Sequence, residues 1–160
     1  MKKVDGLLTE YNPFLFAANC ANLYELFSQL NLLLLKEIIY QEEANTIVGI
    51  YKAIHRQLGH GFLEVVYKDG MWYDFKNEQI LFEREKAFNI QCKGAILKYQ
   101  FIADFILMDK IIVEIKANKE GISSNTTAQT INYLKVSGCK LGIIINFGSS
   151  FLQYKRLVLS

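Results

Sequence analysis

Hydrophobic positions in the first half of the chain recur at helical spacing. The earliest such set comprises Leu23, Leu26, Phe27, Leu30, Leu33 and Leu34. This pattern predicts a helix that packs either on the domain or on a partner, and the first is favoured because most amphipathic helices cover a core. A second set comprises Ile47, Ile50, Tyr51, Ile54 and Leu58. Gly59-His60-Gly61 then interrupts the pattern, and a further helix is predicted from Phe62 to about Lys76.

The middle of the chain changes to patterns that are typical of β-strands. Three extended segments are predicted over residues 80–92, 95–107 and 111–116, and Lys93-Gly94 forms the turn between the first two. The second and third segments contain near-continuous runs of β-branched and aromatic residues. Such runs indicate strands that are covered on both faces.

The last part of the chain predicts a helix between two buried regions. A polar loop from Asn118 to Asn125 leads into a helix that runs to about Val136, with Ser124 or Asn125 as its cap and Gly138 after its end. A buried strand is predicted over residues 141–147 and an edge strand over residues 152–159. The order of elements predicts an α/β fold, in which helices flank a mixed sheet and the strand after the crossover helix joins in parallel.

Composition and charge narrow the class of protein. The chain has 160 residues, of which 51% are hydrophobic and 21% are charged, so it can form one globular domain with a substantial core. A net charge of +2 permits a nucleic-acid partner without predicting one. The three cysteines are far apart, which fits neither a disulfide framework nor a zinc site: Cys20, Cys92 and Cys139. Free thiols and the absence of a clean apolar run of about 18 residues predict a cytoplasmic protein without a membrane span.

Two carboxylates occupy positions where a lone charge is strongly disfavoured. Asp104 lies within the apolar run of residues 101–107, and Glu114 lies within that of residues 111–115. Buried carboxylates need an ion pair or a metal ion. Because Glu114 and Lys116 are two residues apart on a strand, their side chains share a face. The sequence leaves two interpretations open, which are a salt bridge with Lys116 and a divalent-cation site that activates water.

A metal site shared by Asp104 and Glu114 requires a particular loop length in the hairpin between these two strands. A two-residue loop would set Asp104 opposite Ile115, so that the two acids would face opposite sides of the sheet. An odd loop sets Asp104 opposite Glu114 instead. We therefore predict the loop Met108-Asp109-Lys110, or a bulge with the same effect.

Two motifs carry a family resemblance. Asp104, nine intervening residues and then Glu114-Ile115-Lys116 resemble the PD-(D/E)xK motif, with Ala103 in place of its weakly kept proline. The string HRQLGHGFLEVVY over residues 55–67 resembles the signature of the GxxExxY protein family, which is placed in the PD-(D/E)xK superfamily. Gly61, Glu64 and Tyr67 supply its named positions. The segments 128–135 and 141–148 and Gly138 are similar to that family too.

The resemblance covers about residues 35–159, so residues 1–34 are predicted to be an N-terminal extension, helical in part, and residues 35–160 the nuclease-like domain. There are two departures from the family pattern. His60 stands where proline or a small residue is usual, and Thr127 stands where a glutamate often precedes the Ala-Gln pair. Both departures affect the detailed shape of the site and leave Asp104, Glu114 and Lys116 in place.

The resemblance implies a restriction-endonuclease-like core with a mixed central sheet, and a metal-dependent nuclease that acts on DNA or RNA. Asp104 and Glu114 would bind Mg²⁺ or Mn²⁺, with the Ile115 carbonyl as third ligand. Lys116 would position or help deprotonate the attacking water. The alternative is a catalytically silent nuclease-fold module that binds nucleic acid or a protein partner. A homodimer is compatible with both.

Four further residues have two interpretations each, and a fifth is a candidate through the resemblance alone. Glu64 either points into the metal site or pairs with Lys68 at helical spacing. Gln129 either orients a phosphate or water, or lies on the wet face of its helix. Tyr133 either stacks on a base or packs in the core, and the core is favoured. The resemblance adds Tyr67 as a substrate-binding candidate, and His60 lies either near the site or away from it.

Overall fold

A computed structural model describes Leu23, residues 25–30 and residues 39–159. The chain divides into two compact units, residues 1–37 and 38–160. In the first unit Leu23 and residues 25–30 are helical, which agrees with the helical spacing there. Leu33, Leu34 and Cys20 lie outside the described residues. No helix within the described residues has the length and apolar character needed to cross a membrane.

Two helices open the second unit, α1 (Gln41–Leu58) and α2 (Glu64–Asn77). The predicted apolar face of α1 is buried, and the helix begins six residues before Ile47 because its polar first turn carries Glu42 and Glu43, which favour a helix N-terminus. The predicted break between the helices is confirmed by Gly59 and Gly61, which have φ angles of 70° and 104°. These angles lie in the region that glycine adopts most easily.

A five-stranded mixed sheet forms the centre of this unit, in the spatial order β1-β2-β3-β4-β5. Its strands are β1 (Phe82–Cys92), β2 (Ala95–Leu107), β3 (Ile111–Lys116), β4 (Leu141–Asn146) and β5 (Gln153–Val158). β3 pairs with β4 in parallel, and every other neighbouring pair is antiparallel. The predicted α/β fold, with a parallel strand after a crossover helix, is therefore confirmed.

The crossover helix α3 (Ser124–Ser137) begins one residue later than its cap residue, Ser123. The Ser123 side chain accepts a hydrogen bond from the Thr126 backbone N–H at 3.0 Å. The predicted cap at Ser124 or Asn125 is thus wrong by one or two positions, because several adjacent polar residues can cap equally well by type. Gly138 ends the helix with a φ of 75°, as predicted.

The helices cover the two faces of the sheet with separate clusters of apolar side chains. α1 and α2 cover one face, where Tyr51, Tyr67 and Phe75 pack on alternate residues of β2, β3 and β4. On the other face α3 contributes Tyr133 and Leu134. Burial on both faces explains why these strands are almost continuously apolar in the sequence.

The hairpin between β2 and β3 has the predicted three-residue loop. Phe105 pairs with Val113 and Leu107 with Ile111, which leaves Met108-Asp109-Lys110 as the connection. The Lys110 backbone N–H donates to the Leu107 carbonyl at 3.0 Å. The pairing ends at Phe105 and Val113, and this register would set Asp104 opposite Glu114 one step further on, as a shared site requires.

β1 and β2 extend beyond the rest of the sheet as a two-stranded β-ribbon (residues 86–103). β2 pairs with β3 only over residues 105–107, whereas its pairing with β1 continues to Cys92 and Ala95. Phe88 and Phe101 pack the base of the ribbon against α3. Four of its large apolar side chains are exposed: Ile96, Leu97, Tyr99 and Ile102.

Gly148 lies where the chain after β4 passes closest to the chain after β3. A Cβ at this position would lie 2.2 Å from the carbonyl carbon and oxygen of Asn118. The Asn146 side chain fixes that backbone, since its Oδ1 accepts from the Asn118 N–H and its Nδ2 donates to the Asn118 carbonyl, both at 2.9 Å. Only glycine therefore fits at position 148.

Gly148→Ala should lower the free energy of unfolding by about 1–3 kcal/mol or more, because the backbone at Asn118 must shift. Gly49→Ala is a matched control, since a Cβ on this helical glycine meets nothing within 4 Å. It should stabilise the protein by about 0.5–1 kcal/mol through helix propensity. Urea unfolding measures both changes. Equal stability of the two variants would contradict this interpretation of Gly148.

Candidate active site

Asp104 lies at the point where β2 separates from β3. Pairing between these strands ends at Phe105 and Val113, and the Asp104 side chain fills the gap. Its Oδ2 accepts a hydrogen bond from the Ile115 backbone N–H at 2.8 Å. Asp104 is only 8% exposed. The strand separation thus holds this carboxylate in a fixed position and leaves Oδ1 as its outward oxygen.

Glu114 is the most buried acid of the site. It is 2% exposed, and its Oε1 accepts a hydrogen bond from Lys116 Nζ at 2.6 Å. Its Oε2 is buried and has no hydrogen-bond partner among the described residues. A buried carboxylate oxygen without a partner is strongly disfavoured. A ligand that can bind this oxygen is therefore expected.

Asp104 and Glu114 lie close enough for their charges to interact. Burial and then the negative charge of Asp104 raise the pKa of Glu114 to about 7, although the positive charges of Lys116 and Lys68 lower it in part. Burial and then the charge of Glu114 also raise the pKa of Tyr133 to about 12. A buried acid whose proton affinity is raised by a neighbouring negative charge marks a place where a cation is favourable.

Lys68, on α2, completes the charge arrangement. Its Nζ lies 2.6 Å from Asp104 Oδ1 and 2.8 Å from Glu64 Oε1. Burial by itself lowers the pKa of Lys68, but the hydrogen bonds to Asp104 and Glu64 outweigh it and give a net upward shift. Sequence reasoning recognised Lys68 only as a helical partner of Glu64, and the available signal was the four-residue spacing between them.

Of the two predicted interpretations of Glu64, the pair with Lys68 is confirmed, and a place in the metal site stays a prediction. It forms the expected ion pair with Lys68, and the same lysine connects it to Asp104. Within the part of the chain that the structure describes, however, no three acid, histidine or cysteine side chains are grouped so that they could hold a metal ion. The donors that the strands bring together are the two carboxylates of Asp104 and Glu114.

Gln129 and Tyr133 lie one turn apart on α3, and the Gln129 amide donates to the Tyr133 hydroxyl. Tyr133 is 2% exposed, and its ring packs edge-on against Phe101 with centroids 5.4 Å apart. The favoured interpretation of Tyr133 as a core residue is therefore confirmed, and the alternative that it stacks on a base is wrong because the ring is buried. Gln129 is half-buried beside it.

Tyr67 supports the loop between α1 and α2 rather than the surface of a binding site. It is fully buried, and its ring stacks on Phe147 with centroids 4.2 Å apart. Its hydroxyl donates to the Gly59 carbonyl and accepts from the Phe62 N–H, at 3.0 Å and 3.2 Å. This corrects the substrate-binding assignment. His60 lies exposed on the same loop, with no hydrogen bond to either acid in the described structure.

The donor set at this site fits a hard divalent cation. Glu114 Oε2 needs a partner, Asp104 Oδ1 already binds a cationic group, and both are carboxylate oxygens. Oxygen donors of this kind suit Mg²⁺ or Mn²⁺ better than softer metals. Lys116 next to Glu114 also gives the site a positive charge that can stabilise an anionic group.

The raised pKa of Glu114 predicts how metal binding depends on pH. Below about pH 7 the Glu114 carboxyl is largely protonated, so a metal ion must displace that proton in order to bind. Mn²⁺ affinity should rise by up to about tenfold per pH unit towards pH 7 and level off above it. Isothermal titration between pH 5.5 and 8.5 measures this. An affinity that levels off already near pH 5 would contradict the raised pKa.

Three comparisons relate this chain to known proteins. A family model described as the PD-(D/E)XK nuclease superfamily matches residues 41–157. No curated protein matches the chain. A solved structure described as "Crystal structure of SSO0001" shares 22% sequence identity with a TM-score of 0.49. That match covers 76% of this chain and 59% of the other, so the chain spans less than two thirds of the length of that protein.

Proposed function

Since the chain belongs to the PD-(D/E)XK nuclease superfamily, we propose that it is a Mg²⁺- or Mn²⁺-dependent nuclease that hydrolyses phosphodiester bonds in DNA or RNA. The single observation that supports this most strongly is the unpartnered, buried Oε2 of Glu114 beside Asp104. A site that served only as a structural salt bridge would satisfy that oxygen with a second donor.

Each residue of the site has a proposed role. Asp104 and Glu114 would hold the divalent cation through Oδ1 and Oε2, with the Ile115 carbonyl as the proposed third ligand. When bound, the cation would lower the pKa of a water molecule and polarise the phosphoryl group. The Ile115 N–H keeps Asp104 in place through the 2.8 Å hydrogen bond to its Oδ2.

Lys116 is the proposed catalytic lysine. Its ammonium lies 2.6 Å from Glu114 Oε1 and its side chain is 17% exposed, so it can reach a substrate phosphate from a fixed position. It would orient the attacking water and offset the negative charge that develops in the transition state. Gln129 would assist from α3 through its amide, which adjoins the Tyr133 hydroxyl.

A cleavage assay on a panel of nucleic acids tests this function. Single-stranded, double-stranded and branched DNA and RNA are incubated with Mg²⁺, Mn²⁺ or EDTA, beside a Glu114→Ala control. We expect cleavage of at least one substrate that requires metal and is absent in the variant. Mn²⁺ binding without cleavage of any substrate would favour the catalytically silent binding module instead. Cleavage that persists in EDTA or in Glu114→Ala would overturn the assignment.

A further inference from the structure

We propose that Lys68 is a built-in counter-ion, which neutralises Asp104 in the metal-free protein and leaves Asp104 when a divalent cation binds. This inference rests on the proposed metal site but concerns a residue outside its motif. The Lys68 side chain is 16% exposed and that of Asp104 is 10% exposed, so their 2.6 Å contact lies in a partly dry environment. Ion pairs in such surroundings are screened less than surface pairs.

Lys68 occupies the Asp104 oxygen that has no backbone partner. Oδ2 already accepts the Ile115 N–H, which leaves Oδ1, and Oδ1 is where Lys68 binds. A divalent cation on the same oxygen would lie close to the Lys68 ammonium, and the two positive charges would repel each other strongly at low solvent exposure. Binding of one therefore disfavours the other.

Glu64 gives the displaced lysine a remaining partner. Glu64 and Lys68 are one helical turn apart on α2, and their 2.8 Å contact does not involve Asp104. The Glu64 side chain is 34% exposed, so it lies nearer to solvent than Asp104. Lys68 can thus exchange Asp104 for water while it keeps Glu64, and only one of its two ion pairs has to break.

The two lysines of the site consequently differ in role. Lys116 pairs with Glu114 Oε1, and the other Glu114 oxygen is without a partner, so a cation can bind Glu114 while Lys116 stays. Both oxygens of Asp104, by contrast, already have a partner. Lys68 is therefore the residue that competes with the metal ion, and it acts as a positioning residue for Asp104 in the protein without metal.

Mn²⁺ titration of Lys68→Met tests the competition directly. The variant keeps most of the side-chain stem and removes the charge, so its Mn²⁺ affinity should rise by about tenfold or more relative to the unaltered protein. Lys76→Met is the matched control, because Lys76 is on the same helix and its ammonium lies over the Trp72 ring, 4.3 Å from the centroid. It changes the net charge equally and should leave the affinity unchanged.

A second measurement uses the unaltered protein and does not depend on the variant folding. Reductive methylation of lysines, followed by mass spectrometry, reports how accessible the Lys68 amine is. Labelling of Lys68 should rise severalfold when Mn²⁺ is added, whereas labelling of Lys76 should not change.

Unchanged or weaker Mn²⁺ affinity in a cooperatively folding Lys68→Met, or Lys68 labelling that ignores Mn²⁺ bound by the unaltered protein, would overturn the counter-ion role alone. Failure of both the unaltered protein and Lys68→Met to bind Mn²⁺ would overturn the metal site, and this role with it.

Discussion

Glu114→Gln should make the metal-free protein more stable at pH 8 and should remove its response to Mn²⁺. Glutamine resembles the protonated carboxyl, still offers Lys116 an acceptor oxygen and carries no charge into a site that is 2% exposed. The charge that it removes is the one that would hold the metal ion. A single substitution thus separates the stability of the fold from the ability to bind metal.

The pKa of Glu114 gives the sign and size of this effect. The folded pKa is raised from 4.5 to about 7, so folding favours the protonated form. The corresponding stability is fully present below pH 4.5 and is lost as the pH rises through about 7. At pH 8 the neutral glutamine should raise the free energy of unfolding by about 2–3 kcal/mol relative to the unaltered protein. Near pH 5 this difference between the two proteins should be smaller.

Thermal unfolding with and without Mn²⁺ measures both parts of the prediction. Glu120→Gln is a suitable control, because Glu120 is exposed and the same chemical change there should be nearly neutral. A Glu114→Gln protein that melts lower than the unaltered protein at pH 8 would show that the charged form of Glu114 stabilises the fold, as in the structural salt bridge.

Lys116→Met should lower the rate of cleavage by about 10²–10³-fold while metal binding survives or strengthens. Methionine keeps the stem of the side chain and removes the ammonium that lies 2.6 Å from Glu114. In the proposed nuclease, Lys116 would act mainly on the charge that develops in the transition state, whereas Asp104 and Glu114 would bind metal in the ground state. Loss of a neighbouring cation also favours a divalent ion at Glu114.

Single-turnover cleavage and Mn²⁺ titration together distinguish this outcome from a structural ion pair. Lys119→Met serves as the control, since Lys119 is exposed and lies three residues away. If Glu114 and Lys116 form only a salt bridge, Lys116→Met leaves a buried carboxylate unpaired and lowers stability by about 3–5 kcal/mol. A much lower melting temperature of Lys116→Met, with no effect of metal on this variant or on the unaltered protein, would contradict the catalytic assignment. The assignment of the fold would not be affected.

The sequence predicted the sheet better than the ends of the helices. The bounds of β2 and β3 and the loop Met108-Asp109-Lys110 were predicted correctly, because continuous apolar runs and the need for two acids to share a face leave few registers. The cap at Ser123 and the start of α2 at Glu64 were missed. Helix ends depend on single hydrogen bonds, such as that from the Phe62 N–H to the Tyr67 hydroxyl.

Some residues of the candidate site could be predicted from the sequence, and others could not. Local spacing brought Glu114 and Lys116 together, and the hairpin register brought Asp104 to them. Lys68 comes from a helix 36 residues before Asp104, and nothing in the spacing along the chain indicates that its ammonium reaches across to β2. Tyr67 was a substrate candidate through the resemblance and Tyr133 through its residue type, whereas their burial results from long-range packing on Phe147 and Phe101.

The β1–β2 ribbon should exchange its amide hydrogens with solvent faster than the centre of the sheet does. Within the described chain residues 86–103 pair only inside the ribbon, so they can open while β3 and β4 remain intact. Two-stranded ribbons are marginal on their own, and regions with few packed neighbours open at low free energy. Amides of residues 89–100 should therefore exchange early and those of β4 late. Asp104 follows directly on the fast-exchanging ribbon, and its bond to the Ile115 amide makes that one hydrogen a reporter of when the site comes apart.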